Sequence, residues 1–287
     1  MIGVDWGTSS FRAFRLGADG AVLARIEAPM GILTVPAGGF EAALRSQIGP
    51  WLGGERRVLL SGMVGSRQGW VEAPYLPCPA DAAAIAGAVI DVPFAGAVVK
   101  LVPGLSDSDE SGTPEVMRGE ETQIIGAAAD GLVCLPGSHS KWVRVEGGRI
   151  AGYRTYLSGE AFAAIRAGTI LGRMMAEAPA DAAAFDRGLA RSGAPGHLLH
   201  HLFGVRTLGL MGRLAETESA SYLSGLLIGH EIRAELRAGA AVQLIGTPTL
   251  CALYARAIAT LGGSAITLDS DAAASGLARI GAQITWT

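Results

Sequence analysis

The chain has 287 residues, enough for a well-buried core and for about two domains of ordinary size. Its 23 Lys and Arg nearly balance its 26 Asp and Glu, and a net charge of −3 excludes the basic field that would attract nucleic acid or anionic lipid. The sequence therefore predicts a small-molecule partner, with no nucleic acid and no membrane.

The three cysteines are widely spaced in apolar contexts, which favours reduced core thiols over a disulfide framework. The chain does not open with the charged segment and apolar run of a secretory signal. Segment 80–102 is the most apolar, but Asp81, Asp91 and Pro93 interrupt it, and a spanning helix needs about 20 nearly uninterrupted apolar residues. We therefore expect a cytoplasmic protein.

The first predicted elements are three strands, 2–6, 11–16 and 21–27, joined by short turns. Asp5 lies near the end of the first strand, and the turn after it contains Gly7, Thr8, Ser9 and Ser10. Backbone N–H groups and hydroxyls of such a turn bind phosphate oxygens, and a carboxylate binds hydrated Mg²⁺. The hairpin predicts a site for a nucleotide's phosphates, with an ordinary edge hairpin as the alternative.

An amphipathic helix is predicted over Phe40–Leu52 and a buried strand over 57–60. The Gly- and Pro-rich segment 61–79 that follows is too long for a plain connection, and long loops in compact domains are usually functional or disordered. Because it contains Arg67, Trp70 and Tyr75, we expect it to bind a ligand.

A second unit begins with a helix predicted from near Glu115. Strands 132–135, 141–145 and 150–156 follow, so the order strand, Gly-rich turn, strand, strand occurs twice and predicts a duplicated α/β architecture with mixed sheets. The remaining elements are mainly helices over 158–238, a strand at 242–245, a helix at 249–261, a strand at 265–268 and a helix at 272–280.

Three segments of this second unit carry groups suited to catalysis. Glu120 and Glu121 lie in the first turns of the predicted helix. Both could simply interact with the helix dipole, or one of them could be the base that takes a proton from an acceptor hydroxyl. Turn 136–142 is either a plain polar turn or a second phosphate site, and its candidate residues are Gly137, Ser138, His139, Ser140 and Lys141. Gly246 and Thr247 precede a helix opened by a proline, where a backbone can lie against a nucleoside.

Two further features are open at this level. His197, His200 and His201 share one helix face and could ligate zinc, although surface and packing roles fit the surrounding sequence better. Helix 221–236 is apolar enough to be either core or the face of a homodimer.

The chain resembles the actin/hexokinase/Hsp70 ATPase superfamily and, more narrowly, the 2-dehydro-3-deoxygalactonokinases. The resemblance lies in the order of four segments: the Asp-Trp-Gly-Thr-Ser hairpin, the Gly-Glu-Glu-Thr-Gln helix, the Pro-Gly-Ser-His-Ser-Lys-Trp turn and the Gly-Thr-Pro-Thr-Leu strand-to-helix segment. The resemblance covers nearly the whole chain and rests on the Asp-Trp-Gly-Thr-Ser hairpin and on long matching segments such as VMRGEETQIIGA, LPGSHSKWV and YLSGLLIGHEI. It implies duplicated ribonuclease H-like (actin-like ATPase) domains, with lobes at 1–112 and 113–287 and a cleft between them.

The resemblance also implies an activity, the ATP-dependent phosphorylation of 2-dehydro-3-deoxy-D-galactonate on its 6-hydroxyl. In the superfamily pattern Asp5 organises Mg²⁺, the two turns bind the phosphates, and Gly246 and Thr247 face adenosine. Related sugar kinases usually have one catalytic Asp where this chain offers Glu120 and Glu121. Since the substrate is a carboxylate, Arg67 and Arg118 are the best placed cations, with Trp70 beside the former.

Two alternatives keep the fold and change the function. One is a kinase of another keto-deoxy sugar acid, such as the gluconate-derived C4 epimer, because that difference depends on hydrogen bonds that no motif records. The other is a non-catalytic ATP-binding regulator.

Overall fold

The computed structural model describes residues 1–268 and 271–286. Packing divides the chain into two compact units: unit 1 contains Met1–Val133, Val143–Arg154 and Leu268–Thr287, and unit 2 contains Cys134–Trp142 and Thr155–Thr267. The lobes at 1–112 and 113–287 stay a prediction, because this division follows internal contacts rather than the duplicated element order.

Strands and helices alternate along the chain. The strands are β1 Ile2–Trp6, β2 Phe11–Leu16, β3 Val22–Ala28, β4 Arg57–Ser61, β5 Tyr75–Pro77, β6 Ile90–Val92, β7 Val98–Leu101, β8 Gly104–Ser108, β9 Pro114–Met117, β10 Gly131–Leu135, β11 Ser140–Glu146, β12 Arg149–Tyr156, β13 Ala241–Leu244 and β14 Ser264–Thr267. The α-helices are α1 Phe40–Leu52, α2 Ala82–Gly87, α3 Glu120–Ala127, α4 Ser158–Gly168, α5 Ala182–Arg191, α6 Leu198–Leu210, α7 Glu216–Glu235, α8 Pro248–Thr260 and α9 Ala272–Gly281. Short 3₁₀ turns lie at Ile32–Thr34, Met63–Gly65 and Gly172–Met174.

The first sheet has the strand order β3-β2-β1-β4-β7-β6. β1, β2 and β3 pair antiparallel, β4 pairs parallel with both β1 and β7, and β6 is antiparallel to β7. The sheet is therefore mixed, as the sequence predicted. Because β1 and β4 run in the same direction, their carboxyl ends meet at one edge.

The second sheet has the order β12-β11-β10-β13-β14, and β13 is parallel to β14. Its succession repeats that of the first sheet, since three consecutive strands lie side by side and later strands are added next to the first of the three. This shared order confirms the predicted duplicated α/β architecture.

The start of α3 corrects one prediction. The helix expected from near Glu115 begins at Glu120, and the preceding residues form β9, which pairs antiparallel with β8 in a small third sheet of order β5-β8-β9. Gly119 has φ +107°, which a helix cannot accommodate. Segment 61–79, predicted as a binding loop, contains a 3₁₀ turn and β5.

Aromatic side chains form much of the core of unit 1. Trp6 meets Phe11 edge-on at 5.1 Å and Phe40 at 5.5 Å between ring centroids. α1 contributes Phe40, Leu44 and Ile48, the buried side of the predicted amphipathic helix. The bounds of α1 are those predicted, because its apolar residues recur at helical spacing and pack against the core of unit 1.

The core of unit 2 depends on a close approach of α5 and α7. A Cβ on Gly188 would lie 2.0 Å from the Tyr222 carbonyl oxygen, and one on Gly225 would lie 2.0 Å from the Phe185 carbonyl oxygen. α7 is buried over most of its length, so the helix predicted as core or dimer face is core. In the described part of the chain, no helix is both long and apolar enough to cross a membrane.

Candidate active site

The predicted phosphate hairpin joins β1 and β2. Asp5 is paired with Arg12 across these strands, and the two side chains form an ion pair. The Gly7 N–H donates to the Ser10 carbonyl oxygen at 2.9 Å and closes the turn. The three hydroxyl residues of the turn are exposed: Thr8, Ser9 and Ser10. The hairpin thus presents hydroxyl groups beside a carboxylate.

Gly31 supports this turn from behind, although no signal in the sequence singled it out. A Cβ on Gly31 would lie 2.0 Å from the Thr8 carbonyl oxygen, a distance that no side chain tolerates. The next residue, Ile32, donates its N–H to the Gly7 carbonyl oxygen at 3.0 Å. The conformation of the turn therefore depends on a bare backbone at position 31.

Two glycines bring the N-terminus of α3 to the edge where Asp5 lies. In the parallel register Asp5 is opposite Ser61, the last residue of β4. The next residue, Gly62, has φ +96°, and a Cβ there would lie 3.2 Å from the Asp5 carboxylate. A Cβ on Gly119 would lie 3.2 Å from the Gly62 Cα. The structure therefore places Asp5 and the predicted glutamates at one edge of unit 1.

Glu121 is fully buried. Its Oε2 accepts the Gly119 N–H at 2.7 Å, and its Oε1 accepts the Thr122 hydroxyl at 3.0 Å and the Ser61 hydroxyl at 3.4 Å. Burial, and secondarily the charge of Glu120, raise the pKa of the Glu121 carboxyl to about 7. With its oxygens occupied and its side chain shielded, Glu121 holds the backbone ahead of α3 in place.

Glu120 differs from its neighbour in exposure. Its side chain is half-buried, and one carboxylate oxygen accepts the backbone N–H of Arg118 at 3.0 Å. Glu120 is thus the glutamate of the pair that a small molecule can reach. The sequence left open which of the two glutamates is the better candidate for the base, and the difference in burial favours Glu120.

The predicted substrate-binding residues lie in different surroundings. Arg67 has a side chain that is 87% exposed and pairs with Glu72 at 3.5 Å. Trp70 is half-buried in the core of unit 1, stacked on Phe40 and in edge contact with Phe94.

Arg118 is buried in unit 1. Its Nη2 donates to the Ala73 carbonyl oxygen at 2.8 Å, and its guanidinium lies 4.4 Å from the centroid of the Tyr75 ring. Its Nε and Nη1 have no hydrogen-bond partner. Unpaired buried donors are rare in folded proteins, so this guanidinium is the least satisfied group of the site.

The second predicted phosphate turn, 136–142, lies in unit 2. Gly137 is half-buried, while Ser138 and His139 are exposed. His139 contacts Glu160 of α4, and the Glu160 N–H donates to the Ser138 carbonyl oxygen at 3.0 Å. The start of α4 therefore fixes the exposed part of this turn.

The last residues of this turn are buried rather than presented to solvent. Ser140 shares a 2.8 Å hydrogen bond with the Tyr254 hydroxyl, which donates to Glu231 at 2.8 Å. The Lys141 ammonium donates to the Thr155 hydroxyl at 2.9 Å. Burial raises the pKa of the Glu231 carboxyl. Glu231 and Tyr254 come from α7 and α8, and no local pattern marks them in the sequence.

Gly246 and Thr247 lie where β13 leads into α8, and both are exposed. A Cβ on Gly246 would lie 3.4 Å from the Pro136 carbonyl oxygen, so this turn borders the second phosphate turn. A cavity of about 540 Å³ in unit 2 is lined by Gly137 and by residues of α8, but not by Gly246 or Thr247. Its largely apolar lining includes Gly137, Phe162, Leu227, Leu250, Leu253 and Tyr254.

The histidines lie apart from these groups. His201 is fully buried, shares a 3.0 Å hydrogen bond with His230 and donates from Nε2 to the Pro195 carbonyl oxygen at 3.2 Å. His197 and His200 are exposed. Among residues 1–268 and 271–286, no three His, Cys, Asp or Glu side chains are arranged to hold a metal.

Comparison with known proteins gives consistent matches over nearly the whole chain. The model of the family described as 2-keto-3-deoxy-galactonokinase matches residues 5–280. The "Probable 2-dehydro-3-deoxygalactonokinase DgoK1" of Rhizobium meliloti is 39% identical, over 94% of this chain and 92% of its own. The 2-dehydro-3-deoxygalactonokinase of Escherichia coli is 32% identical, over 95% and 94%. The crystal structure of a candidate 2-dehydro-3-deoxygalactonokinase from Sinorhizobium meliloti superposes with a TM-score of 0.86 at 36% identity, covering 98% of this chain and 97% of that one.

Proposed function

The chain belongs to the 2-keto-3-deoxy-galactonokinase family, and we infer that it phosphorylates 2-dehydro-3-deoxy-D-galactonate with ATP. It has the duplicated actin-like ATPase fold. One observation supports locating this reaction: Asp5 and the Glu120–Glu121 pair lie at the same edge of unit 1. We place phosphoryl transfer there, to the 6-hydroxyl of the acid.

Asp5 is our proposed Mg²⁺ ligand. Mg²⁺ keeps several waters and is usually held by one or two carboxylates together with substrate phosphates, and a single carboxylate beside a turn of hydroxyls fits that donor set. Mg²⁺ held there would supply positive charge that stabilises the transferring phosphoryl group. The Arg12 ion pair fixes the orientation of the Asp5 carboxylate. Gly7, Thr8, Ser9 and Ser10 would then contact the phosphates.

Glu120 is our proposed base, because it is the reachable member of the pair. It would accept the proton of the 6-hydroxyl as that oxygen bonds to the γ-phosphorus and the bond from the γ-phosphorus to the β-phosphate oxygen breaks, which releases ADP. Glu121 would be a positioning residue, because its carboxylate accepts the Gly119 N–H. Glu120→Gln should lower kcat by about 10²- to 10⁴-fold with little change in the KM for ATP. A near-normal kcat would assign the proton transfer elsewhere.

Unit 2 supplies the proposed nucleoside site. Pockets of about 300–1,000 Å³ with apolar walls and few polar groups are usual for small ligands, and the 540 Å³ cavity falls in this range. We place adenosine in it, where Gly246 and Thr247 would face the nucleoside from the start of α8, the helix that contributes Leu250 and Leu253 to the lining. The phosphates would contact Gly137, Ser138 and His139, while the buried Ser140 and Lys141 would stabilise the shape of the turn.

The acceptor's stereochemistry is the finer part of the proposal. ADP release should be measured with Mg-ATP and each C4 epimer of the 2-dehydro-3-deoxy-hexonate, and the phosphorylated carbon located by ³¹P–¹H correlation NMR. Turnover confined to the galactonate-derived acid, with phosphate on C6, is expected. Preference for the other epimer would make the chain a kinase of a different sugar acid, and nucleotide binding without acid-dependent ADP release would make it a regulator.

We also propose a homodimer in the cytoplasm. Four exposed apolar side chains lie along α6 and at its end, where a second copy could cover them: Leu199, Phe203, Leu210 and Met211. Cys78, Cys134 and Cys251 are free thiols, which fits a reducing compartment. Sedimentation equilibrium of the wild type beside Phe203→Glu tests the dimer, which the charge should dissociate.

A further inference from the structure

Arg118 is an arginine without an anion. It is 8% exposed, and no carboxylate of the described residues forms an ion pair with it. The Nε–H and both Nη1–H groups lack an acceptor. Burying a charge without a partner is unfavourable, and folded proteins rarely leave one in this state. These donors are of the kind that an anionic ligand would satisfy.

A second orphan donor lies in the neighbouring loop. The Ser66 Oγ is buried and has no hydrogen-bond partner. The preceding residue, Gly65, is so close to the guanidinium that a Cβ on it would lie 3.1 Å from the Arg118 Nη1. The residue next to Ser66 in the chain therefore packs against the Arg118 guanidinium, which brings the segments of the two unpaired groups together.

The guanidinium is also fixed in orientation. Its Nη2 is held by the Ala73 carbonyl oxygen at 2.8 Å, and the Tyr75 ring faces the Arg118 guanidinium at 4.4 Å. Because the guanidinium is held at one edge and on one face, the orientation of its unpaired N–H groups is fixed before a ligand binds. This lowers the entropic cost of binding a planar anion.

We propose that Arg118 and Ser66 form the subsite that binds the 2-oxo-carboxylate end of the acceptor and determines its selection over neutral sugars. This deepens the function proposed above and rests on it for the identity of the acceptor. A carboxylate suits the site better than an ATP phosphate, because the phosphate hairpin presents its own donors at Gly7–Ser10. Arg118 lies two residues before Glu120, so one segment would bind the acid group and the reacting hydroxyl. Arg67, which is exposed and pairs with Glu72, is not included in this subsite.

The proposal predicts an unusual pair of effects for Arg118→Met. The KM for the acid should rise at least about 30-fold while the KM for ATP changes less than about 3-fold. The melting temperature of the ligand-free protein should stay the same or rise, because the substitution removes a buried charge that has no anion and two nitrogens without an acceptor. Ser66→Ala should raise the KM for the acid by about 3- to 10-fold. Arg144→Met, which removes an exposed arginine, is the matched control.

Binding of pyruvate, measured by calorimetry, separates this proposal from the assignment of the acceptor. Wild type should bind this small 2-oxo acid and Arg118→Met should not, whether or not the chain turns over the galactonate-derived acid. An unchanged KM for the acid in Arg118→Met, a KM shift that follows Arg67→Met instead, or competition of pyruvate with ATP would each overturn the proposal. So would a lowered melting temperature with both KM values raised together, since that marks a structural role.

Discussion

The most quantitative prediction concerns the buried carboxyl of Glu121. Its pKa is raised from 4.5 to about 7, chiefly by burial. A group whose folded pKa lies above its unfolded value contributes stability that is complete below pH 4.5 and is lost as the pH rises through 7. The shift corresponds to about 3 kcal/mol. Wild type should therefore lose about this much unfolding free energy between pH 4.5 and pH 8 through this one group.

Glu121→Gln removes the titration while keeping the hydrogen bonds, because the amide oxygen can accept the Gly119 N–H and the amide nitrogen can donate to the Ser61 hydroxyl. Urea denaturation followed by tryptophan fluorescence should show the stability difference, variant minus wild type, growing by about 3 kcal/mol from pH 5 to pH 8. Glu110→Gln, at a side chain that is 94% exposed, should show no such growth. A constant difference for Glu121→Gln would refute the raised pKa.

Three further substitutions test the supports of the site. Gly31→Ala should raise the KM for ATP at least about 10-fold, because its Cβ would meet the Thr8 carbonyl oxygen, whereas Gly49→Ala, with open space around it, should leave kinetics unchanged. Leu253→Trp should fill part of the unit 2 cavity, raising the KM for ATP in steady-state assays without affecting that for the acid. Glu231→Ala removes the acceptor of the buried Trp142 Nε1–H and of the Tyr254 hydroxyl, and should cost about 3 kcal/mol of unfolding free energy in urea denaturation.

Periodicity and turn chemistry predicted the elements that depend on local sequence. α1 has the bounds its apolar stripe indicates, and the Asp5 hairpin lies where its turn residues indicate. The start of α3 could not be predicted, because Pro114–Met117 has the composition of a helix start and becomes a strand only by pairing with β8. That pairing is a tertiary interaction, which overrides weak local preference.

In the candidate site, too, some features could be predicted from local sequence and others depend on tertiary packing. The glycines, hydroxyls and carboxylates of the short motifs could be identified from the sequence. The choice between Glu120 and Glu121 as the candidate base depends on burial, which follows from packing. The roles of Glu231 and Gly31 could not be predicted from the sequence, because the partners of Glu231 lie far away in the chain and those of Gly31 are backbone atoms. The missing counter-ion of Arg118 could only be recognised once its surroundings were known.

We place acid-dependent phosphoryl transfer from ATP at the Asp5 edge of unit 1. The most direct test is the initial rate of ADP release with Mg-ATP, with and without the galactonate-derived acid, for wild type and Asp5→Asn, with circular dichroism to verify folding. Fast release that requires the acid and falls at least about 10²-fold in a folded Asp5→Asn is expected, because the site loses the carboxylate that would hold Mg²⁺. Acid-dependent release at the wild-type rate in a folded Asp5→Asn would contradict it.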